Sequence, residues 1–386
     1  MLSRNEAFCS KSWVPIRKLT KLKDSTLRPP EYISKITPYI PGKPIEELER
    51  ELGISNCIKL ASNENPLGPS PLAIEEMQAA LVGLNRYPDG GSYRLKAALS
   101  GVYGVDAHEI VIGHGSNELL DIAVRTFMPA TEDNIYNNIM ADPSFIVYYN
   151  STVKAAGTAI KIPLTNDYRH DLPAMAAKIN GKTRIIFIAN PNNPTGTIVG
   201  AEEFDIFIRS IPDDVLVVVD EAYYEYVTDT TYPDSMRYFR EGYPILILRT
   251  FSKIYGLAGL RIGYGIANRS IVAGMDKVRE PFNTSSVAQA AAIGALKDAE
   301  HVRKSVAVNE AGKAYLYEQL SHLPVEFIPT QGNFIYVNLK IDANNIYNKL
   351  LQSGVIVRPM GKTIIRVTIG LQNEIETFMR NLREVL

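Results

Sequence analysis

One lysine, Lys253, stands in surroundings that would make its amine reactive. It ends the segment Thr250-Phe-Ser252-Lys253, which directly follows an apolar run at Ile245–Arg249, and Gly, Leu, Ala and Tyr residues come after it. An amine among such neighbours is partly removed from water, which lowers its pKa and makes it nucleophilic. Isolated lysines are usually surface residues. The hypothesis that Lys253 is a reactive lysine therefore depends on the other motifs along the chain.

An acid, Asp220, ends another apolar run, Val215–Asp220, and is followed by Glu221-Ala-Tyr223. A carboxylate at the end of a buried strand costs free energy unless it is paired with a cation. In open α/β folds the same end of the strand is where ligands bind. Two interpretations stay open: a structural salt bridge, or a ligand group that must remain protonated, such as a ring nitrogen.

Two turns could hold the polar groups of a ligand. Gly113-His-Gly-Ser-Asn-Glu118 follows a strand and opens a helix, so its backbone N–H groups could face a phosphate, although such turns also use glycine for geometry alone. Asn190-Pro-Asn-Asn-Pro-Thr-Gly196 forms a rigid loop that can aim Asn193 at a ligand. These features follow one another in the order phosphate turn, asparagine loop, strand-end Asp, strand-end Lys and then Arg261. This order strengthens the hypothesis that Lys253 is a reactive lysine.

Several other kinds of site are excluded. Gly181-Lys182-Thr183 and Gly361-Lys362-Thr363 end like P-loops, but Ala176 and Ile356 stand where that motif requires glycine. No G-x-G-x-x-G follows a strand, which argues against a dinucleotide-binding domain. The scattered histidines and two cysteines predict neither a metal site nor a disulfide framework, and they favour a reducing, cytoplasmic compartment.

The composition is typical of a soluble globular protein. The chain has 386 residues, of which 46 % are apolar, and its 41 Lys and Arg against 42 Asp and Glu give a net charge of −1. This balance argues against a nucleic-acid or polybasic membrane binder. No apolar run approaches the roughly 18 residues that span a bilayer.

Apolar runs that alternate with helical patterns predict an α/β fold with a mostly parallel sheet buried on both faces. From about residue 286 the pattern changes to long helices followed by strands around a further helix, which predicts a smaller α+β domain. The predicted organisation is a basic tail at 1–24, an N-terminal segment at 25–62, a large domain at 63–280 and a small domain at 281–386.

Together these motifs resemble the fold-type I pyridoxal-phosphate enzymes, and in detail the histidinol-phosphate aminotransferases. The similarity extends from about Leu27 to Leu386, and the segments that carry it are Leu60-Ala-Ser-Asn63-Glu-Asn65-Pro, Asn85-Arg-Tyr87-Pro-Asp, Asp142-Pro-Ser-Phe145, Asn190–Gly196, Asp220–Tyr223, Arg249–Arg261 and Ile365-Arg366-Val-Thr-Ile-Gly370. The resemblance implies transfer of an amino group between L-histidinol phosphate and 2-oxoglutarate in histidine biosynthesis. It also implies a homodimer, with part of segment 25–62 in the dimer contact.

The resemblance assigns roles around the pyridoxal phosphate ring. Lys253 would bind the cofactor covalently and then move the proton between the substrate Cα and the cofactor. Asp220 would keep the pyridine nitrogen protonated, so that the ring can accept electrons. Tyr223 and Asn193 would hydrogen-bond the ring oxygen, and Phe145 would stack on the ring face.

The resemblance also assigns residues to the phosphate of the cofactor and to the phosphate of the substrate. The cofactor phosphate would be held by Gly115, Ser116, Asn117, Thr250, Ser252 and Arg261. Tyr87 would reach the phosphate of the neighbouring subunit. Arg366 would bind the substrate anion with its planar fork, helped by Arg358 and Tyr39. For both arginines a structural ion pair in the small domain stays open.

The sequence departs from the family pattern in two places. The stretch between Arg358 and Arg366 is shortened to Pro359-Met-Gly-Lys-Thr-Ile-Ile365, and the connection at 131–138 is unusually polar. The first touches the anion end of the substrate pocket. Two alternative activities therefore stay open, an aromatic amino-acid aminotransferase and a threonine-phosphate decarboxylase-like lyase. A pyridoxal-phosphate-sensing regulator is disfavoured because residues 1–24 are too few for a DNA-binding domain.

Overall fold

The computed structural model describes residues 28–38, 42–128 and 135–386, so the predicted tail at 1–24 lies outside it. The strands in these ranges are β1 (Ile58–Lys59), β2 (Ile110–Gly113), β3 (Asn137–Asp142), β4 (Thr158–Pro163), β5 (Thr183–Ala189), β6 (Leu216–Asp220), β7 (Ile245–Thr250), β8 (Gly263–Ala267), β9 (Glu326–Ile328), β10 (Phe334–Asn338), β11 (Val355–Ile356), β12 (Arg358–Pro359) and β13 (Ile364–Thr368).

The same ranges hold α-helices of 4 to 23 residues. They are α1 (Glu31–Ser34), α2 (Ile45–Leu52), α3 (Pro71–Ala80), α4 (Tyr93–Tyr103), α5 (Ser116–Phe127), α6 (Ile146–Lys154), α7 (Leu172–Ala176), α8 (Ala201–Arg209), α9 (Ser235–Arg240), α10 (Arg269–Val278), α11 (Ser286–Lys297), α12 (Ala299–Ser321), α13 (Ala343–Gln352) and α14 (Gln372–Val385). Short 3-10 helices lie at Leu81–Gly83, Ala107–Glu109, Tyr224–Tyr226 and Ala258–Leu260. None of the described helices is both long and apolar enough to cross a membrane.

The central sheet has seven strands in the order β2-β8-β7-β6-β5-β3-β4. The pairs from β7 to β4 are parallel, which confirms the prediction of a mostly parallel sheet. The exception is β8, which pairs antiparallel with both β2 and β7. The connection from β7 to β8 contains only one short 3-10 helix, too little for the crossover that a parallel pair requires.

Both faces of this sheet are buried, as the continuous apolar runs predicted. In β6, Val217 and Val219 belong to one apolar core, whereas Val218 belongs to a second core on the opposite face. All three side chains are fully buried. Successive side chains of a strand point to opposite faces of the sheet. An uninterrupted apolar run is therefore buried only when other elements pack on both faces.

Strands β3 and β4 and helix α6 were not predicted. Strand β3 begins with Asn137 and Asn138, whose side chains are buried but hydrogen-bonded. Thr183 Oγ1 donates to Asn137 Oδ1 at 2.9 Å, and Asn138 Nδ2 donates to Thr152 Oγ1 at 3.0 Å. These partners come from other segments of the chain. The polar sequence therefore did not predict a strand, although tertiary contacts stabilise one here.

The smaller domain is built on the antiparallel sheet β12-β13-β10-β9, with β1 of the N-terminal segment paired to β11. Helix α11 was expected here but packs in the large domain: a Cβ at Gly294 would lie 2.4 Å from the carbonyl oxygen of Leu72, beside α3. Ala288 and Ala291 of α11 belong to the large core, whereas Leu316 of α12 belongs to the small one. We therefore propose a domain boundary within α12 and not at residue 281.

Candidate active site

A cavity of about 950 Å³ opens at the carboxyl ends of β5, β6 and β7, and β12 and β13 of the small domain close one side of it. It is lined by most of the residues predicted from the sequence: Ser116, Asn117, Phe145, Asn193, Asp220, Tyr223, Thr250, Ser252, Lys253, Arg261, Arg358 and Arg366. Residues separated by up to 250 positions in the sequence thus share one site. The carboxyl ends of β5, β6 and β7 meet at one edge of the sheet, and α5 and the small domain contribute the other residues.

The amine of Lys253 lies in this cavity just beyond the end of β7. Its Nζ donates to the carbonyl oxygen of Ser62 at 3.1 Å and lies 5.7 Å from the centre of the Tyr223 ring. Burial lowers the pKa of Lys253 to about 7, and the positive charge of Arg366 acts in the same direction. A large share of the amine is therefore neutral near pH 7, as a nucleophile or proton acceptor must be.

The carboxylate of Asp220 is held by two donors. The hydroxyl of Tyr148 donates to Oδ2 at 2.9 Å, and the backbone N–H of Ala222 donates to Oδ1 at 3.2 Å. Burial raises the pKa of Asp220 to about 6. Among the described residues no Lys or Arg forms an ion pair with Asp220. The buried salt bridge belongs to the next residue, Glu221, which pairs with Arg249 at 2.8 Å.

Two side chains predicted to contact a ring oxygen lie near Lys253 and are oriented by neighbours. Asn63 Nδ2 donates to the hydroxyl oxygen of Tyr223 at 2.8 Å. Arg366 Nη1 donates to Asn193 Oδ1 at 2.6 Å, which fixes the orientation of that amide and leaves its nitrogen as the donor. The phenol and the amide can therefore both donate to one acceptor.

The phosphate turn is closely packed around Arg261. Gly115 has φ +73°, and a Cβ at this position would lie 2.7 Å from Arg261 Nη2. Arg261 Nη1 donates to Ser252 Oγ at 3.2 Å, beside the first turn of α5, which begins at Ser116. A guanidinium group, hydroxyl groups and the N-terminal N–H groups of a helix together match the acceptor oxygens of a phosphate.

A second cationic region lies on the small-domain side of the cavity. Arg358 and Arg366 are register partners on β12 and β13. The Arg366 side chain is 8 % exposed, and its Nη2 donates to the carbonyl oxygen of Ala61 at 2.8 Å. Two guanidinium groups at one end of a cavity provide a site for a doubly charged anion.

Two predicted residues of the described ranges do not line the cavity. Gly115 is the N-cap of α5 and lies beside the guanidinium group of Arg261. Tyr87 is 82 % exposed and stacks on Phe282, with ring centres 4.8 Å apart. Tyr39 lies outside the described residues, so its assignment stays a prediction.

Some residues at the site were missed. Tyr148 follows Phe145 by three positions on α6, a spacing that places both side chains on one helix face and could have been noticed. Lys35, Lys154 and Lys161 also line the cavity, each in an ion pair with an acidic residue, and their sequence context carries no signal.

Residues 55–382 of this chain match the family model for aminotransferase class I and II. The chain belongs to this family. The aminotransferase is 50 % identical to histidinol-phosphate aminotransferase of Moorella thermoacetica, over 92 % of each chain. It is 45 % identical to the same enzyme of Caldicellulosiruptor saccharolyticus, over 92 % of this chain and 99 % of that one.

A solved structure extends the comparison to the fold of the aminotransferase. Histidinol-phosphate aminotransferase from Sinorhizobium meliloti, in complex with pyridoxal-5′-phosphate, superposes with a TM-score of 0.84. It is 26 % identical, and the match covers 94 % of this chain and 98 % of that one. The fold-type I architecture predicted from the sequence is thereby confirmed.

Pyridoxal phosphate is the cofactor of this family. The residues of this aminotransferase fit it on three observations. The partly neutral amine of Lys253 can form the covalent link, and the buried Asp220 lacks an ion-pair partner among the described residues. Gly115, which has no Cβ, allows Arg261 to lie close to the first turn of α5. The prediction of a pyridoxal-phosphate-dependent transaminase is thus confirmed at the level of family and cofactor.

Proposed function

We propose that this aminotransferase transfers an amino group between L-histidinol phosphate and 2-oxoglutarate, with glutamate as the other product or donor, in histidine biosynthesis. The observation that carries the proposal is the pair Arg358 and Arg366 at the end of the cavity that faces Lys253. Two guanidinium groups suit a phosphate ester on an amino substrate. The curated relatives at 44 to 50 % identity carry the name histidinol-phosphate aminotransferase.

We propose that pyridoxal phosphate is held through both its ring and its phosphate. Asp220 faces the ring nitrogen, Phe145 lies against the ring, and Tyr223 and Asn193 donate to the ring oxygen. The phosphate lies at the start of α5 and is bound by Gly115, Ser116, Asn117, Thr250, Ser252 and Arg261. When bound, the cofactor supplies an electron-accepting ring that stabilises negative charge at the substrate Cα.

The protein's part in the chemistry is proton transfer by Lys253. As the base, Lys253 Nζ would take the proton from the substrate Cα and deliver it to C4′ of the cofactor. A pKa near 7 suits both directions, since such an amine accepts and releases a proton with similar ease. The ionised Asp220 keeps the ring nitrogen protonated during this exchange.

We propose a homodimer whose contact includes the segment around Tyr87. Exposed apolar side chains cluster here; those at least half exposed are Leu81, Val82, Leu84, Tyr87 and Tyr93. A patch of this kind usually marks a protein contact. A second copy seated on it would bring Tyr87 toward the phosphate of the partner's cofactor. We further propose a cytoplasmic location, in accord with a chain that has two cysteines and no predicted disulfide.

A single-turnover half-reaction tests the substrate. The cofactor-loaded protein is mixed separately with histidinol phosphate, tyrosine and threonine phosphate, the absorbance of the lysine-bound cofactor is followed, and the products are identified. Fast conversion to pyridoxamine phosphate with histidinol phosphate alone is expected. Equal speed with tyrosine would indicate an aromatic aminotransferase. Release of carbon dioxide from threonine phosphate would indicate the lyase.

A further inference from the structure

Tyr148 contacts the one carboxylate that the sequence motifs single out, yet no motif includes it. It lies on α6, and its hydroxyl donates to Asp220 Oδ2 at 2.9 Å. The side chain is 1 % exposed. A buried hydroxyl gains most from a charged acceptor, since such hydrogen bonds are stronger than those between neutral groups.

The ring of Tyr148 packs against two other aromatic side chains. The ring stacks on Phe187 of β5, with centres 4.8 Å apart and planes 6° from parallel. On its other side Phe145 meets it edge-on at 5.7 Å and 85°. Because both neighbours are fixed by a strand and by the start of α6, the hydroxyl is held toward Asp220.

The two oxygens of Asp220 consequently have different surroundings. Oδ2 accepts from Tyr148, and Oδ1 accepts from the backbone N–H of Ala222, so the plane of the carboxylate is fixed. The ionisable groups that act on this carboxylate are Tyr148, Glu221 and Lys253, and Tyr223 acts on Tyr148. Burial favours the neutral carboxyl, while the donated hydrogen bonds and the charge of Lys253 favour the ionised one.

We propose that Tyr148 is a positioning residue that fixes the Asp220 carboxylate toward the pyridine nitrogen of pyridoxal phosphate and keeps that carboxylate ionised. Two residues of the α6 region then act on the cofactor ring: Phe145 lies against its face, and Tyr148 positions Asp220. The inference rests on the proposed function of Asp220. Burial also keeps the pKa of the Tyr148 phenol well above its usual value, so the phenol stays a donor.

The test compares Tyr148→Phe with Tyr238→Phe as a matched control. Tyr238 is 2 % exposed, and its hydroxyl donates to Asp205 at 3.0 Å, away from the cavity. In the cofactor-free chain, carbon-13 NMR of labelled aspartate follows the titration of Asp220, identified by its loss in Asp220→Asn. The affinity for pyridoxal phosphate is then measured by equilibrium titration.

Tyr148→Phe should raise the midpoint of the Asp220 titration and weaken cofactor binding roughly 10- to 100-fold, the range for a lost hydrogen bond to a charged group. Tyr238→Phe should change neither. Replacement of Tyr148 by 3-fluorotyrosine, a stronger donor of nearly the same shape, should lower the midpoint; this second variant keeps the test decisive if Tyr148→Phe does not fold.

Two results overturn the proposal, and they are distinguishable. An Asp220 titration that is unchanged in both Tyr148 variants, while Asp220→Asn weakens cofactor binding, removes the role of Tyr148 alone. Unchanged cofactor affinity in Asp220→Asn removes the proposed function of Asp220, and the inference about Tyr148 with it.

Discussion

Arg358 and Arg366 face each other across the antiparallel pair β12 and β13, and both line the cavity that holds Lys253. Like charges directly opposite on neighbouring strands destabilise a sheet. That cost falls when a dianion lies between the two guanidinium groups. The pair is therefore better suited to a phosphate ester than to a single carboxylate.

Removing either guanidinium group should weaken substrate binding selectively. Arg358→Ala and Arg366→Lys are expected to raise the KM for histidinol phosphate roughly 10- to 100-fold, since each loses charged hydrogen bonds or the planar fork that shapes them. Steady-state kinetics measure this, with the exposed Arg380→Ala on α14 as control. An unchanged KM in both variants would contradict a phosphate site between these strands.

Lys253→Ala should abolish transamination while leaving the fold intact. The amine is the group placed to bind the cofactor and to carry the Cα proton, and alanine supplies neither function. The absorbance band of the lysine-bound cofactor should disappear, and the circular dichroism spectrum should match that of the wild type. Lys277→Ala, an exposed change on α10, should keep full activity. Turnover that persists in Lys253→Ala would assign the proton transfer elsewhere.

The lowered pKa of Lys253 should make the stability of the cofactor-free chain depend on pH. Its pKa is about 7 in the folded chain, against an ordinary value of 10.5. Between these values the unfolded lysine holds its proton and the folded one has lost it, so stability rises with pH through this range. Relative to Lys253→Met, the gain should reach a few kcal/mol, at about 1.4 kcal/mol per pKa unit.

Urea unfolding of the two chains between pH 6 and pH 9 measures this difference. The two curves of unfolding free energy against pH should converge toward alkaline pH. Curves that run parallel would mean that Lys253 keeps its ordinary pKa in the folded chain.

Gly115→Ala should weaken cofactor binding roughly 10-fold or more. The backbone has φ +73°, a conformation that costs an alanine about 1–3 kcal/mol, and the new methyl group would press on Arg261 at 2.7 Å. Gly101→Ala on α4 is the matched control, because a Cβ there has open space and alanine favours a helix. Pyridoxal phosphate titration of both variants decides the point. Equal affinities would place the phosphate away from this turn.

Local sequence patterns were enough to predict the residues that carry the chemistry and the class of fold. Strand-end Asp220 and Lys253, the glycine turn and the asparagine loop are local patterns, and their common position follows from the rule that parallel strands end at one edge. Apolar runs at β5, β6 and β7 also predicted burial on both faces, which the two cores confirm.

Features that depend on contacts between distant segments could not be predicted from local patterns. The polar start of β3 forms a strand in which Thr152 and Thr183 are hydrogen-bond partners of the asparagine side chains. Helix α11 packs on α3 because its small residues allow close approach. The hydrogen bond from Tyr148 to Asp220 joins two separate elements. The periodicity of a sequence indicates which face of a helix or strand is apolar. It does not indicate which other element covers that face or which donor hydrogen-bonds to a buried charge. The geometry of the site depends on these tertiary contacts.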